Sequence, residues 1–286
     1  LKSDNRSNIS YFLEHNVLLR RFTLSVGVLA NYNSALNEGI HFYPGIDASY
    51  RIGDNVRLYG SWNRALRMPT FTDLYYEGKT NKGNPDLKPE ESEAFEVGLK
   101  YNTYFLRAHI AGFYRKGKNM IDWVKEKPED IWESQNLTKV DNLGFETNLS
   151  LLPRELGNER FFIRKIELGY AFIHQDKDSE GYISNYALDY LKHKFTAQLS
   201  HSIWKGFSAT WYVRWQDRAG SYTKYENLKP AYEEPYAPYC LVDMKVNWEY
   251  QRLNLYAELN NLLNSTYYDL GNIPQPGIWF KAGFRY

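Results

Sequence analysis

Alternation of apolar and polar residues is the feature that most constrains how this chain can fold. It recurs in about thirteen segments, with hardly any helical periodicity between them. In the segment 253–260, for example, Leu253 and Leu255 alternate with Asn254 and Tyr256. Because successive side chains of a β-strand point to opposite faces, each such segment predicts a strand with one apolar face and one wet face. The chain is therefore predicted to be all-β.

Hydropathy excludes a helical membrane protein. The mean hydropathy is −0.61, and the sequence has no apolar run approaching the roughly 20 residues that a spanning helix needs. A β-barrel is compatible with this value, since only every second residue of its strands faces lipid. The segments also match the about 9 to 11 residues of a tilted spanning strand better than the about 5 to 6 residues of a soluble sandwich strand.

Two kinds of connection alternate along the chain. Long joints are predicted at 66–90, 118–138, 175–188, 219–237 and 262–276, and tight turns at Gly53–Asp54, Asn102–Thr103, Lys205–Gly206 and Gln251–Arg252. Short periplasmic turns and long outer loops are typical of an outer-membrane barrel. If the last strand descends to the periplasm, every long joint falls outside. These features predict a transmembrane antiparallel β-barrel in the bacterial outer membrane.

Composition narrows the alternatives. Aromatic residues make up 17% of the chain, as expected for rings of them at two membrane interfaces, although a soluble all-β carbohydrate binder is an alternative. The net charge of +1 gives no reason to expect a nucleic-acid partner. The single cysteine, Cys240, excludes an internal disulfide.

No pattern predicts a metal site, a cofactor or an enzyme. The six histidines are scattered, and Asp176–Gly181 imitates the start of a calcium loop but has Ala187 where a bidentate Glu is required. Hydrolase and nucleotide-binding motifs are also missing from the sequence.

The two ends of the sequence each support a further prediction. The last segment places Ile278, Phe280 and Phe284 on one face and stops on Tyr286, which resembles the C-terminal signature that the barrel-assembly machinery reads. The first residues, Leu1–Asp4, contain neither an initiator Met nor a signal-peptide pattern. We therefore expect the sequence to be a mature or truncated fragment.

An ordered set of motifs lies within residues 62–101. Its parts are Arg67–Pro69, Asp73–Tyr75, Gly83–Glu90 and Glu96–Gly98. Each part alone is commonplace, but in this order they resemble the signature that marks one outer loop and its flanking strands in TonB-dependent receptors. Asn260–Asn264, Tyr267 and Pro276–Gly277 similarly resemble the end of that family's barrel.

The resemblance implies an architecture and a mechanism. Members have a barrel of about 22 strands plugged by an N-terminal domain, so residues 1–286 would be the C-terminal portion of a barrel, with plug and TonB box outside this chain. The implied function is active transport, in which the TonB complex uses the proton gradient to pull on the plug. The implied partners are the TonB complex, outer-membrane lipid, the transported ligand and a surface lipoprotein.

Two stretches bear on the cargo. Arg67–Tyr76 and Phe113–Trp123 resemble the cobalamin (vitamin B12) receptors of Bacteroidetes. The resemblance therefore implies cobalamin as cargo, with a ferric siderophore as the alternative. A passive porin or structural barrel is less favoured, and a glycan importer fits less well because that branch has larger barrels and loops.

Candidate functional residues fall into two sets. Aromatic side chains of the outer loops could stack on a large, partly apolar ligand or anchor the loops to one another; they are Tyr75, Tyr76, Trp123, Trp132, Tyr182, Tyr186, Tyr222, Tyr225, Tyr232 and Tyr268. The motif residues are interpreted mainly as structural, because their prolines stiffen the loop and their carboxylates can pair with arginines; they are Arg67, Pro69, Asp73, Leu74, Tyr75, Gly83, Asn84, Pro85, Leu87, Pro89, Glu90, Glu96 and Gly98.

Overall fold

A computed structural model describes residues 5–34, 39–127, 129–157, 160–178, 181–184, 190–226 and 229–286. Strands predominate in it. Their bounds are β1 (Asn8–Leu18), β2 (Phe22–Asn33), β3 (Ile40–Arg51), β4 (Val56–Arg67), β5 (Asn81–Lys82), β6 (Glu90–Asn102), β7 (Leu106–Lys125), β8 (Trp132–Leu151), β9 (Ile163–Asp178), β10 (Ile183–Ser184), β11 (Leu191–Trp204), β12 (Phe207–Arg218), β13 (Ser221–Glu226), β14 (Lys229–Pro235), β15 (Tyr239–Tyr250), β16 (Leu253–Asn260), β17 (Tyr268–Leu270), β18 (Ile273–Pro274) and β19 (Trp279–Arg285).

Helical structure is confined to two short elements among the described residues. They are α1 (Phe71–Tyr75) and a 3-10 helix (Pro153–Leu156). Within the part of the chain that the structure describes, no helix has both the length and the apolar character that crossing a membrane requires.

The strands form one large antiparallel sheet in chain order. Its path runs β1-β2-β3-β4-β6-β7-β8-β9-β11-β12-β15-β16-β19. Phe22 lies opposite Tyr50, for example, and Leu255 opposite Phe284. The short strand β5 pairs in parallel with β8, β10 pairs with β7, and β13–β14 and β17–β18 are separate hairpins. The predicted antiparallel sheet of about thirteen strands is confirmed.

The chain divides into two compact units. Unit 1 comprises residues 1–99, 111–143 and 175–186, and unit 2 comprises 100–110, 144–174 and 187–286. The motif loop between β4 and β6 belongs to unit 1. The tyrosine-rich segments that follow β12 and β16 belong to unit 2.

The strands present an apolar stripe to their surroundings. In β6, Phe95, Val97 and Leu99 are exposed, Val97 to 59%. On the opposite face of the strand, Glu96 accepts a hydrogen bond from the Tyr59 hydroxyl at 2.8 Å. An exposed apolar stripe is unfavourable in water but suits a strand whose outward face contacts lipid.

Several predicted long joints are more regular than expected. The strands β7 and β8 continue into the segment 118–138, leaving only residues 126–131 between them, and 219–237 contains the hairpin β13–β14. Backbone groups of such segments need partners, and continued strand pairing supplies them. The tight turns fall where they are predicted.

Several of the most buried side chains of unit 1 lie toward the loop end of β7 and β8. Asp122 and Val124 are 1% exposed and Ser134 is fully buried. The segment that leads into β6 adds the buried Leu87. The core of unit 1 therefore lies beside the motif loop, where side chains pack against protein on more sides than in the spanning strands.

Candidate functional site

The short helix α1 follows the first part of the motif and is held at its start by two side chains. The Thr70 hydroxyl accepts the Asp73 amide at 3.1 Å, and the Asp73 carboxylate accepts the Thr70 amide at 2.9 Å. This reciprocal capping box satisfies amides that a helix start leaves unpaired. The Arg6 guanidinium donates to the Pro69 carbonyl at 2.8 Å and lies 5.1 Å from the centre of the Phe71 ring.

The third part of the motif folds back onto α1. The Gly83 amide donates to the Tyr76 carbonyl at 2.6 Å, and the Asn84 amide donates to the Asp73 carbonyl at 2.9 Å. A Cβ atom on Gly83 would lie 2.8 Å from the Leu74 carbonyl carbon and 2.9 Å from the Asp73 oxygen. Because these are backbone atoms, only glycine allows this approach.

Glu90 joins three strands through one buried carboxylate. It accepts two bonds of 2.5 Å from the Arg67 guanidinium on β4 and one of 2.8 Å from the Ile121 amide on β7. The Glu90 side chain is 9% exposed, whereas that of Arg67 is 51% exposed. Burial of an unpaired carboxylate is energetically unfavourable, and hydrogen bonds from one charged and one neutral donor offset that cost at Glu90.

Asn136 on β8 clamps the base of the motif loop. Its side-chain oxygen accepts the Lys88 amide at 2.8 Å, and its NH2 group donates to the carbonyls of Lys88 and Asn119 at 2.9 and 2.7 Å. Asn119 has a φ of +53°, a conformation that asparagine tolerates better than most residues. The Asn136 side-chain amide thus hydrogen-bonds to the backbone as a peptide group would, and it joins β8 to β7 and to the segment before β6.

The remaining motif residues pack to different depths. Pro69 and Leu87 are buried, Leu74 and Pro89 are half-buried, and Pro85 is exposed. The burial of Pro69 and Leu87 means that the loop packs against its neighbours rather than projecting freely.

The last part of the motif lies on β6. Gly98 sits against the ring of Tyr59, and a Cβ atom there would lie 2.5 Å from the ring. The Tyr59 hydroxyl in turn bonds to Glu96. In the Glu-x-Gly pattern, Glu96 therefore accepts a hydrogen bond from Tyr59, and Gly98 leaves space for the Tyr59 ring.

Aromatic side chains of unit 1 split into exposed and anchored groups. Tyr75 and Tyr76, at the end of α1, are 45% and 50% exposed. Tyr76 meets Trp123 edge-on at 6.3 Å, and Trp123 is buried. Trp132 is half-buried, with the Lys125 ammonium 4.5 Å from its ring centre. Tyr75 and Tyr76 are therefore the more exposed of these four rings.

Two further candidates lie in the segment after β9. Tyr182 is half-buried and lines a depression of about 280 Å³ at the tip of the β7–β8 hairpin. Tyr186 lies outside the described residues.

In unit 2, tyrosines pack against one another. Tyr222 lies 5.2 Å from Tyr236 and 5.0 Å from Tyr268, measured between ring centres, and the Tyr236 hydroxyl accepts the Gly271 amide at 3.0 Å. Tyr222 and Tyr236 are 6% and 8% exposed. Burial raises the pKa of the Tyr222 hydroxyl. This tyrosine cluster, Tyr222, Tyr236 and Tyr268, ties the β13–β14 hairpin to the β17–β18 hairpin.

The β13–β14 hairpin also carries a half-buried ion pair. The Lys224 ammonium lies 2.6 Å from the Glu234 carboxylate and 5.6 Å from the Tyr232 ring centre. Their hydrogen bond raises the pKa of Lys224 and lowers that of Glu234. Tyr232 is 50% exposed, and the side chain of Tyr225 lies outside the described part of the structure.

The family model described as "TonB dependent receptor-like, beta-barrel" matches residues 2–262. The chain belongs to this family. Membership confirms the prediction of an outer-membrane barrel, and the family consists of receptors rather than enzymes.

Curated TonB-dependent relatives match at low identity. The chain is 28% identical over 134 residues to the vitamin B12 transporter BtuB of Vibrio vulnificus (strain YJ016), covering 42% of the chain and 21% of that protein. It is 22% identical over 304 residues to the ferrienterobactin receptor of Escherichia coli (strain K12), covering 96% of the chain and 39% of that protein. The chain thus spans well under half the length of these relatives.

Solved structures share the fold. A ferric enterobactin receptor of Pseudomonas aeruginosa, PfeA, aligns with a TM-score of 0.75 at 20% identity, covering 98% of this chain and 45% of that one. The barrel wall of a TonB-dependent receptor is therefore the fold of essentially the whole chain.

The motif loop of this receptor chain offers stacking surfaces and hydrogen-bonding groups rather than reactive groups. Among the described residues, no group of three or more His, Cys, Asp or Glu side chains could hold a metal ion. Exposed rings beside a clamped backbone suit reversible binding of a large ligand. Ligand contact by the ten aromatic residues stays a prediction.

Sequence reasoning missed several residues that organise these sites. Arg6, Asn136 and Tyr236 lie far in sequence from the segments that they hold. No local pattern signals a single polar or aromatic side chain whose partners are brought together only by strand pairing.

Proposed function

We propose that the protein is a TonB-dependent active transporter that imports a large, scarce nutrient across the outer membrane, with cobalamin as the favoured cargo. Family membership supports the transport class. The observation that carries the binding role is the clamped motif loop, in which Glu90 and Asn136 fix the backbone while Tyr75 and Tyr76 stay exposed. Preorganised surfaces bind more tightly because less freedom is lost on binding.

Charge in the loop region of unit 1 favours a cargo of low net charge. Several basic side chains there are paired with carboxylates: Arg67 pairs with Glu90, Lys82 lies 3.6 Å from Glu133, and Lys139 lies 3.2 Å from Asp141. A strongly anionic cargo would require surplus cations. Cobalamin, which is large and amide-rich, fits a neutral surface with exposed rings, and one relative is named as a vitamin B12 transporter.

A ferric siderophore is the second candidate cargo. It is supported by the extent of one match, since the similarity to a ferrienterobactin receptor covers 96% of the chain. A passive porin or structural barrel has no comparable support.

The proposed transport also requires parts beyond the described residues. We propose that residues 1–286 form the C-terminal portion of the barrel, that an N-terminal plug engages the inner-membrane TonB complex, and that a surface lipoprotein assists capture. The greater length of the relatives supports this arrangement.

Growth of a deletion strain distinguishes the cargoes. Removal of the gene from its host should abolish growth on limiting cobalamin and leave growth on limiting iron unchanged. Loss on limiting iron alone would favour the siderophore, and unimpaired growth in both media would refute both cargoes.

The binding role of the exposed rings needs its own variants. Tyr75→Ala with Tyr76→Ala should weaken cobalamin binding to the full-length receptor about tenfold or more, since stacked aromatic rings each contribute about 1 kcal/mol. The matched double change to Phe keeps both rings and should bind nearly normally. Equal affinity of the Ala variant and the unaltered receptor would exclude these two rings from the site.

A further inference from the structure

A recess of about 540 Å³ lies on strands β1 to β4 of unit 1. It is on the face that carries the Tyr59 hydroxyl and its partner Glu96, opposite the lipid stripe of β6. Register continues this face across the four strands through one row of directly opposed residues: Glu14, Gly27, Gly45 and Asn63. In a barrel the face away from lipid is turned to the interior. We call this depression the inner-face recess.

Two glycines leave the middle of the inner-face recess open. Gly27 and Gly45 lie opposite each other, so no side chain rises from this part of the row. A Cβ atom on Gly45 would lie 3.6 Å from the Asn63 Cβ, which is an ordinary contact, so the wall has room for a side chain there. The Phe12 ring lies beside Gly27, and Phe12 is 58% exposed. The recess therefore combines bare backbone with one exposed apolar ring.

Two buried side chains that line the recess have an unpaired polar atom. Asn31 is 6% exposed, and its NH2 group donates to Asn8 and Ser10 at 2.9 and 2.8 Å. Its oxygen, like the hydroxyl of the 8% exposed Tyr43, has no hydrogen-bond partner among the described residues. Such atoms are rare in folded proteins, because burial removes hydrogen bonds to water that nothing then replaces. Both atoms therefore favour a bound group that supplies hydrogen-bond donors.

Charge in the inner-face recess is negative. Two carboxylates, of Glu14 and Asp47, and one guanidinium, of Arg64, line it. The Arg64 guanidinium already lies 3.5 Å from the Glu91 carboxylate and 3.3 Å from that of Glu93. Neither Glu14 nor Asp47 forms an ion pair within the part of the chain that the structure describes. The recess therefore offers hydrogen-bond acceptors and repels anions.

We propose that the inner-face recess is a second binding site on the transport path, for a ligand that donates N–H groups and carries no negative charge. Primary carboxamides have this chemistry, since their NH2 hydrogens can bond to carboxylates and to the Asn31 oxygen. An apolar part of the same ligand can contact Phe12. The inference rests on the proposed transport of cobalamin, whose amide groups it assigns to a position in the wall beyond the exposed rings of the motif loop.

Filling the recess tests the site in cells that carry the full-length receptor. Gly45→Leu should lower the rate of cobalamin uptake per bound cobalamin about tenfold, because the new side chain occupies the recess. Cobalamin binding to the surface of de-energised cells should be unchanged, which also shows that the variant assembles. Ser49→Leu is the matched control, because it adds the same side chain on the same face and strand but outside the recess. It should leave uptake nearly unchanged.

Three results of this experiment would overturn the proposal. Normal uptake by Gly45→Leu would show that the recess is not used. An equal loss in Ser49→Leu would show that any bulk on this face blocks uptake. Loss of surface binding in Gly45→Leu would indicate that another part of the receptor is seated in the recess.

The charge of the cargo provides a test that a packing role would not pass. A cobalamin derivative with one carboxamide replaced by a carboxylate should be imported about tenfold more slowly per bound molecule than cobalamin. Glu14→Gln with Asp47→Asn removes the repulsion and should restore most of that rate. Asp54→Asn with Glu155→Gln removes the same charge from exposed turns and should restore nothing.

The outcomes separate the site from the cargo. Equal import of the two ligands by the unaltered receptor, or equal restoration by both pairs of substitutions, would overturn the site while leaving cobalamin as the cargo. Failure of the unaltered receptor to import cobalamin itself would refute the proposed cargo, and with it the ligand assigned to the recess.

Discussion

The motif loop of unit 1 and the tyrosine cluster of unit 2 are both loop structures, but different forces hold them. Buried Glu90 and half-buried Asn136 hold the motif loop through hydrogen bonds to defined backbone groups. In the tyrosine cluster, Tyr222 and its neighbours stack, and one hydroxyl bonds to the backbone.

The two regions are therefore expected to differ in how well they tolerate substitution. Few side chains can replace a carboxylate that accepts hydrogen bonds from a guanidinium and from a part-buried backbone amide, because an unpaired buried donor costs about 1 to 3 kcal/mol. Stacked rings tolerate exchange among aromatic residues with smaller losses. The motif loop should therefore respond sharply to single changes, whereas the tyrosine cluster should respond gradually.

The largest effect is expected for Glu90→Ala. It leaves the Ile121 amide without its acceptor and the Arg67 guanidinium without its partner, which should lower the free energy of local opening by about 3 kcal/mol. This is the low end for a broken buried pair, because Arg67 is half exposed. Hydrogen exchange of the Ile121 amide measures the change.

The control for that prediction is Glu90→Gln. Its amide oxygen can still accept from Ile121, so exchange should accelerate much less than in the Ala variant. Equal exchange in the unaltered receptor and in both variants would show that Glu90 does not clamp the loop.

Gly83→Ala should have the next largest effect, about 2 kcal/mol. The new methyl group meets the backbone of Leu74 and Asp73, so α1 must shift. Faster cleavage of the motif loop by an added protease in the assembled receptor is the expected result.

Gly98→Ala provides the contrast, because the atoms nearest to its methyl group all belong to the side chain of Tyr59. Adding Tyr59→Ala should relieve the clash and restore assembly. For Gly83→Ala no single side-chain truncation should do so. If truncation of a distant side chain restored assembly of Gly83→Ala, the predicted clash with the backbone of Leu74 and Asp73 would be wrong.

A smaller effect is expected in the tyrosine cluster. Tyr236→Phe removes the acceptor of the Gly271 amide and keeps the ring, so local stability should fall by about 1 kcal/mol. Tyr232→Ala, at an exposed position of the same hairpin, loses only the contact with Lys224 and should lower local stability less. A larger loss of local stability in Tyr232→Ala than in Tyr236→Phe would contradict the assignment of Tyr236 as the residue that anchors the hairpin.

The smallest effect concerns pH. Since the folded pKa of Glu234 is lowered, its pairing stabilises the hairpin above the ordinary carboxyl pKa and is lost as pH falls through the folded value. Fluorine NMR of a fluorotyrosine at Tyr232 should report a loosened hairpin in acid. Glu234→Gln should remove that pH response, and an unchanged response would assign it to another group.

The fold was largely predictable from the sequence, and the sites only in part. Alternation in segments such as 253–260 predicts the strands because each residue's face depends on its own position. The motif predicts Glu90 and Gly83, since their roles need those residue types. The sequence did not predict the role of Asn136, because its two partners, Lys88 and Asn119, come together with it only after β6, β7 and β8 pair.

Energy-dependent uptake tests the central claim most directly. Cells that carry the gene should accumulate labelled cobalamin well above the level of a deletion strain, and collapse of the proton gradient with a protonophore should remove the difference. Accumulation that depends on the gene but is unaffected by the protonophore would contradict TonB-dependent transport and indicate a passive pore.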